Sequence, residues 1–280
     1  MHAPTAGPRG EGFVLTGPIT PLPELVADVW AARQLLGILA RKDFYVRYRR
    51  ASLGLLWAVG LPVFQALVLA LVFSKVVRIH TGTNFAVFVL TGMVGWTYFS
   101  NTLSAAATAI VDGSGMSTRI YFPRVLLPLV SVVANLYGYV ITVAILLLLC
   151  LVLGVGLGVN VLWLVPATAL LVALTAGAGL VTSALHVYFR DIRYIVTAAV
   201  IGWFYLTPVF YPLHLAHGFV HAVVAANPVT GVVELLRAAT AGVDPHWGWT
   251  VVISIGWSAV LLVGAAALHR RYNRLFTDLL

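Results

Sequence analysis

Residues 125–189 read VLLPLVSVVANLYGYVITVAILLLLCLVLGVGLGVNVLWLVPATALLVALTAGAGLVTSALHVYF, a stretch without a single Asp, Glu, Lys or Arg. An element of a soluble domain must turn polar side chains to water at a period of 2 or 3.6, and nothing here does so. The solvent for this stretch is lipid. About 20 residues cross a hydrocarbon core, so the stretch holds two crossings, with the glycines and asparagine of GVGLGVN turning Val125–Val159 into a hairpin with Val161–Phe189. Working outward, four more uncharged stretches are long enough to span: Leu53–Phe73, Phe85–Val111, Tyr194–Pro212 and Trp247–His269. Phe219–Val233, broken by Asn227-Pro228, is too short to cross and reads as a re-entrant or interfacial pair of helices. The expected fold is therefore all-α: a polytopic membrane protein of six transmembrane helices, with re-entrant helices before the last span and an interfacial amphipathic helix before the first. The bulk numbers agree, with 61% hydrophobic and 9% charged residues and a mean hydropathy of +0.97.

The net charge of +8 would suggest nucleic acid in a soluble chain, but here position matters more than sum. Arg9, Arg33, Arg41, Lys42, Arg47, Arg49 and Arg50 precede the first span; Arg119 and Arg124, Arg190 and Arg193, and Arg270, Arg271 and Arg274 fall on the same side of a six-span plan. Only Lys75, Arg78 and Arg237 fall on the other side, and the positive-inside rule then puts both termini in the cytoplasm, with no role for nucleic acid. Residues 1–23 carry five prolines and four glycines, a flexible tail and not a signal peptide. Residues 24–50 form the cytoplasmic interfacial helix, with Leu25, Val29, Ala32, Leu36 and Leu39 on one face. Its end, RKDFYVRYRR, interleaves rings with cations, so that Arg41, Lys42, Arg47, Arg49 and Arg50 are candidates to meet lipid headgroups or a diphosphate. Residues 51–280 are the transmembrane domain.

What the spans lack excludes several functions. An ion-coupled carrier needs ionisable groups at membrane depth, and no Asp, Glu, Lys or Arg lies in these spans, whose polar side chains include amides, hydroxyls and His186 near a helix end. No carboxylate cluster suggests a metal or phosphoryl-transfer site; His214, His217 and His221 have i, i+3, i+4 spacing but no acidic or thiol neighbour, so no metal is assigned. Lone Cys150 sits in an apolar run and reads as packing. Neither Lys42 nor Lys75 follows a glycine, which rules out a phosphate-binding GxxxxGK[ST] loop in this chain.

Three segments resemble ABC-2 type permeases that export polysaccharides, O-antigens and teichoic acids: RKDFYVRYRRASLGLLWAVGLPVFQALVLALVF (41–73), with its LGxLWxxxxP opening the first span; MSTRIYFPRVLLPL (116–129), with its Phe-Pro turn; and YFRDIRYIVTAAVIGWFYLTPVFYP (188–212). The resemblance covers most of the chain from Arg41 onward. It implies a non-enzymatic half-transporter in a bacterial plasma membrane, paired with a second copy of itself and with two copies of a cytoplasmic nucleotide-binding ATPase, so that ATP and Mg belong to the partner and this chain holds no cofactor. A coupling helix around Ser114–Pro123 would present Asp112, Arg119, Tyr121, Phe122, Pro123 and Arg124 to the ATPase. Arg190, Asp191 and Arg193 would form an interhelical hinge like the family's FRD turn. Spans one and five would line the path, making Trp57, Phe64, Gln65, Trp203, Phe204, Tyr205, Phe210 and Tyr211 candidate channel residues, since sugar C–H faces stack on aromatic rings. Trp96, Tyr98 and Phe99 form a further cluster in span two. The substrate implied is a polyprenyl-diphosphate-linked polysaccharide; Arg and Ala usage suggests a GC-rich genome and puts a galactan first, with teichoic acid and O-antigen as alternatives. A drug or small-lipid exporter of the same superfamily, and a membrane-embedded enzyme of glycolipid assembly using the outer histidines, are the rival readings.

Overall fold

A computed structural model describes residues 22–49, 54, 56–72, 84–113, 124–240 and 248–272. Among the described residues there are ten α-helices, two short 3-10 turns and no strand: α1 (Leu22–Ala31), α2 (Arg33–Tyr48), α3 (Leu56–Val72), α4 (Phe85–Asp112), α5 (Leu126–Val152), a 3-10 turn (Val159–Trp163), α6 (Leu164–Tyr188), α7 (Ile192–Leu206), a second 3-10 turn (Leu213–Leu215), α8 (Gly218–Ala226), α9 (Pro228–Thr240) and α10 (Trp249–Tyr272).

The hairpin expected from residues 125–189 is present. α5 ends at Val152, the chain turns through Gly154 at φ +69°, and the 3-10 turn leads into α6. α5 (mean hydropathy 2.3), the run Val159–Tyr188 (2.0) and Trp249–Arg270 (2.3) are long and apolar enough to cross a membrane, and the bent pair α8–α9 raises the number from three to as many as four. Six crossings were expected, and the shortfall has separate causes. α4 is long enough at 28 residues but is the interior helix of the bundle, so Thr91, Ser100 and Thr102 are buried against protein and lower its hydropathy. α7 stops after 15 residues because Thr207 precedes Pro208, which disfavours helix at the preceding residue, and Thr207 is extended at ψ 132°. α3 is described over 17 residues.

α4 packs against α3, α5, α6, α7 and α9, and α6 packs most extensively against α10 and α4. The α6–α10 approach depends on a small residue, since a Cβ on Gly177 would stand 2.8 Å from Leu261 Cβ. The segment expected as one interfacial helix is two. Ala32 breaks it, with the α1 and α2 residues Val29, Leu35 and Leu36 set against Leu126 and Leu127, and Ala40 and Phe44 of α2 buried with Ala134 of α5.

Candidate functional site

The end of α7 and the α8–α9 elbow meet at one polar knot. α8 and α9 diverge by 81° at Asn227, as the Asn-Pro break predicts. Asn227 Oδ1 accepts from the Trp203 indole (2.9 Å) and from the Val229 backbone N–H (2.9 Å), while Nδ2 donates to Leu206 O (3.1 Å) and Thr207 Oγ1 (2.9 Å). Beyond it, Arg237 of α9 is 4% exposed, donates from Nη2 to Val209 O at 2.8 Å, and lays its guanidinium 3.5 Å from the Phe88 ring centroid. Gly92 of α4 makes room for this arrangement, because a Cβ there would sit 2.9 Å from Val209 O and 3.2 Å from Arg237 Nη2. Placing Arg237 in an outer loop was therefore wrong: it is inside the bundle, where a cation is tolerated only with partners.

The aromatics of α7 divide in two. Trp203 and Phe204 turn inward, Trp203 edge-on to Phe99 at 5.3 Å and Phe204 tilted on Trp96 at 5.6 Å. Tyr205 is exposed, with Phe210 and Tyr211 half-buried beside it just beyond the end of α7. Ring centroids run Phe204–Phe210 5.8 Å, Tyr205–Phe210 6.5 Å and Phe210–Tyr211 5.2 Å, and the Tyr211 hydroxyl donates to Tyr205 O at 3.2 Å. On α3, Trp57, Phe64 and Gln65 are all exposed. Trp96, Tyr98 and Phe99 are core residues, Tyr98 donating to Val132 O at 3.1 Å.

At the opposite end, α2, α4 and α5 enclose an open groove of about 410 Å³ bounded by Leu39, Lys42, Asp43, Arg47, Asp112 and Leu127, among others. It brings Asp112 of the coupling set beside Lys42 and Arg47 of the headgroup set. Arg47 is committed to protein, reaching Asp43 at 3.0 Å and Asn135 of α5 at 2.5 Å, and Arg41 lies 5.6 Å over the Tyr45 ring. Arg41, Lys42 and Arg49 are exposed. Arg124 stands half-buried in the turn before α5, where burial pulls its guanidinium below the ordinary value. Arg119, Tyr121, Phe122 and Pro123, like Arg50, lie outside the described residues.

The profile of the ABC-2 type transporter family matches residues 34–240. The chain belongs to that family. Similar curated relatives of this ABC-2 chain include an O-antigen export system permease protein of Myxococcus xanthus, 34% identical over 189 residues that cover 68% of this chain and 72% of the relative. Another O-antigen export system permease protein, from Klebsiella pneumoniae, is 24% identical over 247 residues, 88% of this chain and 95% of its own. A polysialic acid transport protein of Escherichia coli is 26% identical over 204 residues, 71% and 78%.

In this ABC-2 chain the FRD turn is exposed. Arg190, Asp191 and Arg193 project outward, Asp191 makes no side-chain cap, and the turn is held by backbone bonds from Tyr194 and Ile195 to Asp191 O at 2.9 and 3.0 Å. No cluster of three metal-binding side chains occurs among the described residues; His214 lies on the second 3-10 turn, His217 is the N-cap residue of α8 and His221 lies in α8, all three exposed. Sequence reasoning missed Asn227 and Arg237 as site residues. The available signal was an arginine within the apolar run VVELLRAAT, three residues after Glu234, which a loop could not explain.

Proposed function

We propose that this chain is the transmembrane subunit of an ATP-binding-cassette exporter that moves a polyprenyl-diphosphate-linked polysaccharide of the O-antigen class from the cytoplasm to the outer face of a bacterial plasma membrane. The observation that carries the reading is the likeness, along most of both chains, to permeases named for O-antigen export. The aromatic surface of Tyr205, Phe210 and Tyr211 adds chemistry suited to sugar rings.

The full topology has six spans, α3 to α7 and α10, with α8–α9 re-entrant and both termini cytoplasmic. Gln65 supports a second copy: an amide exposed on an apolar helix costs several kcal/mol in lipid, roughly, unless another protein surface or a wet path faces it. Two cytoplasmic ATPase subunits bind ATP and Mg and push through residues 112–124. Arg190, Asp191 and Arg193 act as a hinge between α6 and α7. Arg41, Lys42, Arg49 and Arg50 meet lipid phosphate, and the groove beside Lys42 admits the carrier's headgroup.

Affinity purification of the tagged chain from its native membrane in mild detergent tests this. A nucleotide-binding subunit in equal amount, with ATP hydrolysis, is expected; Arg119→Ala with Phe122→Ala should release it. Recovery of this chain alone, without ATP hydrolysis, would return the membrane enzyme to first place.

A further inference from the structure

A carboxamide offers two N–H donors and an oxygen that accepts two hydrogen bonds, and Asn227 uses all four. Two of them go to the segment where α7 stops. A helix that ends in front of a proline leaves its last carbonyls without amide donors, and Leu206 O receives its donor from Asn227 at 3.1 Å. Three residues on, Val209 O receives the Arg237 guanidinium at 2.8 Å. Arg237 Nε has no hydrogen-bond partner, and the buried cation is held by one linker carbonyl, the Phe88 face and the charge of Glu234 one turn earlier on α9. Helix termination in apolar surroundings does not need an arginine; holding a particular carbonyl against α4 does.

We propose that Asn227 and Arg237 are positioning residues that clamp Leu206–Val209 from two sides and thereby hold the rings of Tyr205, Phe210 and Tyr211 as a ledge on which the sugar rings of the exported glycan stack. The clamp acts through the linker and does not touch the glycan. The ledge follows from it geometrically. Tyr205 is one residue before the first clamped carbonyl, Phe210 one after the last, and the Tyr211 hydroxyl closes back on Tyr205 O. Gly92 and Phe88 supply the floor, since any Cβ at position 92 would lift Val209 off α4. The role of the ledge rests on the glycan-export reading above; the clamp itself does not.

The test uses the full chain in lipid nanodiscs for amide hydrogen exchange over residues 204–214, and surface glycan display in a strain whose own copy is replaced by each variant. Asn227→Asp keeps the oxygen that accepts from Trp203 and Val229 and removes both donors, and Arg237→Met keeps the stem and removes the cation. Each is expected to speed exchange at Thr207 and Val209 by about tenfold, the loss of one or two buried bonds, while α4–α6 exchange as in the parent. Surface glycan falls in both. Trp203→Phe, which deletes the indole donor but keeps an aromatic ring beside Phe99, and Arg237→Lys, which keeps a donor for Val209 O, give smaller changes in both readouts and remain informative if the stronger variants fail to fold. Parent-like exchange over 204–214 in all four variants overturns the clamp. Faster exchange with parent-level glycan overturns the positioning role. Undiminished glycan in a strain lacking the chain altogether overturns the export reading and the ledge with it, while the exchange data still report on the clamp.

Discussion

Gly231 sets how closely α9 lies against α10, and replacing it by alanine should be among the more damaging single changes in the chain. The added Cβ would stand 2.4 Å from Thr250 O, 2.6 Å from Ser254 Oγ and 2.7 Å from Thr250 C. Relief to ordinary contact requires about 1 Å of separation, and two of the three obstacles are backbone, which cannot rotate away. Ser254 is not free to yield either, since its hydroxyl donates to Thr250 O at 2.9 Å. One turn along the same interface Thr250 Oγ1 donates to Glu234, so a shift stretches that bond as well. Overpacking of this kind costs about 1–3 kcal/mol and more where backbone is involved, set against about 1 kcal/mol of helix propensity gained by alanine. A net loss of about 2 kcal/mol lowers the apparent melting temperature by about 4–8 °C. Gly202 on α7 is the control, because nothing lies within 4 Å of its added Cβ. The assay is the temperature at which half the detergent-solubilised chain leaves the monodisperse peak on size exclusion. Gly231→Ala melting within 1 °C or so of the parent, or Gly202→Ala losing as much, would refute the reasoning.

Thr91 and Thr240 share a hydroxyl–hydroxyl bond of 2.9 Å between α4 and α9, and a double-mutant cycle with valine at both should give a coupling of about 0.6 kcal/mol; strict additivity would show the bond carries nothing. Arg47→Ala and Asn135→Ala should each loosen α2 from α5, seen as a few-fold faster tryptic cleavage at Arg41 and Lys42, and unchanged cleavage in both would remove the bond from the account. Replacing His214, His217 and His221 together by alanine should leave surface glycan unchanged and should not alter zinc binding by the purified chain, whereas lost activity would revive the enzymatic reading.

The hairpin of α5 and α6 and the Asn227-Pro228 break were legible because each rests on a local rule: absence of charge over a long run, and a proline that removes a helical donor. Arg237 was not legible by the same means. The positive-inside tally treats an arginine as a loop residue unless a span is drawn over it, and a 13-residue helix bent back at 81° is not drawn as a span. Trp203 and Phe204 were grouped with Tyr205 by adjacency in sequence. A helical period of 3.6 turns three consecutive residues through more than half a circle, so two face α4 and one faces out. That Trp96, Tyr98 and Phe99, grouped in sequence as a cluster in span two, are core residues was not legible, because the burial of α4 among five other helices is a tertiary fact. The groove between α2, α4 and α5 was half visible, since the basic α2 and Asp112 were each picked out, but their meeting depends on how α2 docks along α5.

The elbow also has an electrical consequence. A short helix buried inside a bundle carries a positive N-terminus and a negative C-terminus with little solvent to quiet either. In α9 the first is met by the Asn227 side-chain oxygen on the Val229 amide, and the last turn holds Arg237. A cation buried in the bundle is thus placed where the helix macrodipole, together with Glu234 one turn back, supplies part of its counter-charge, which lowers the cost of keeping an arginine there.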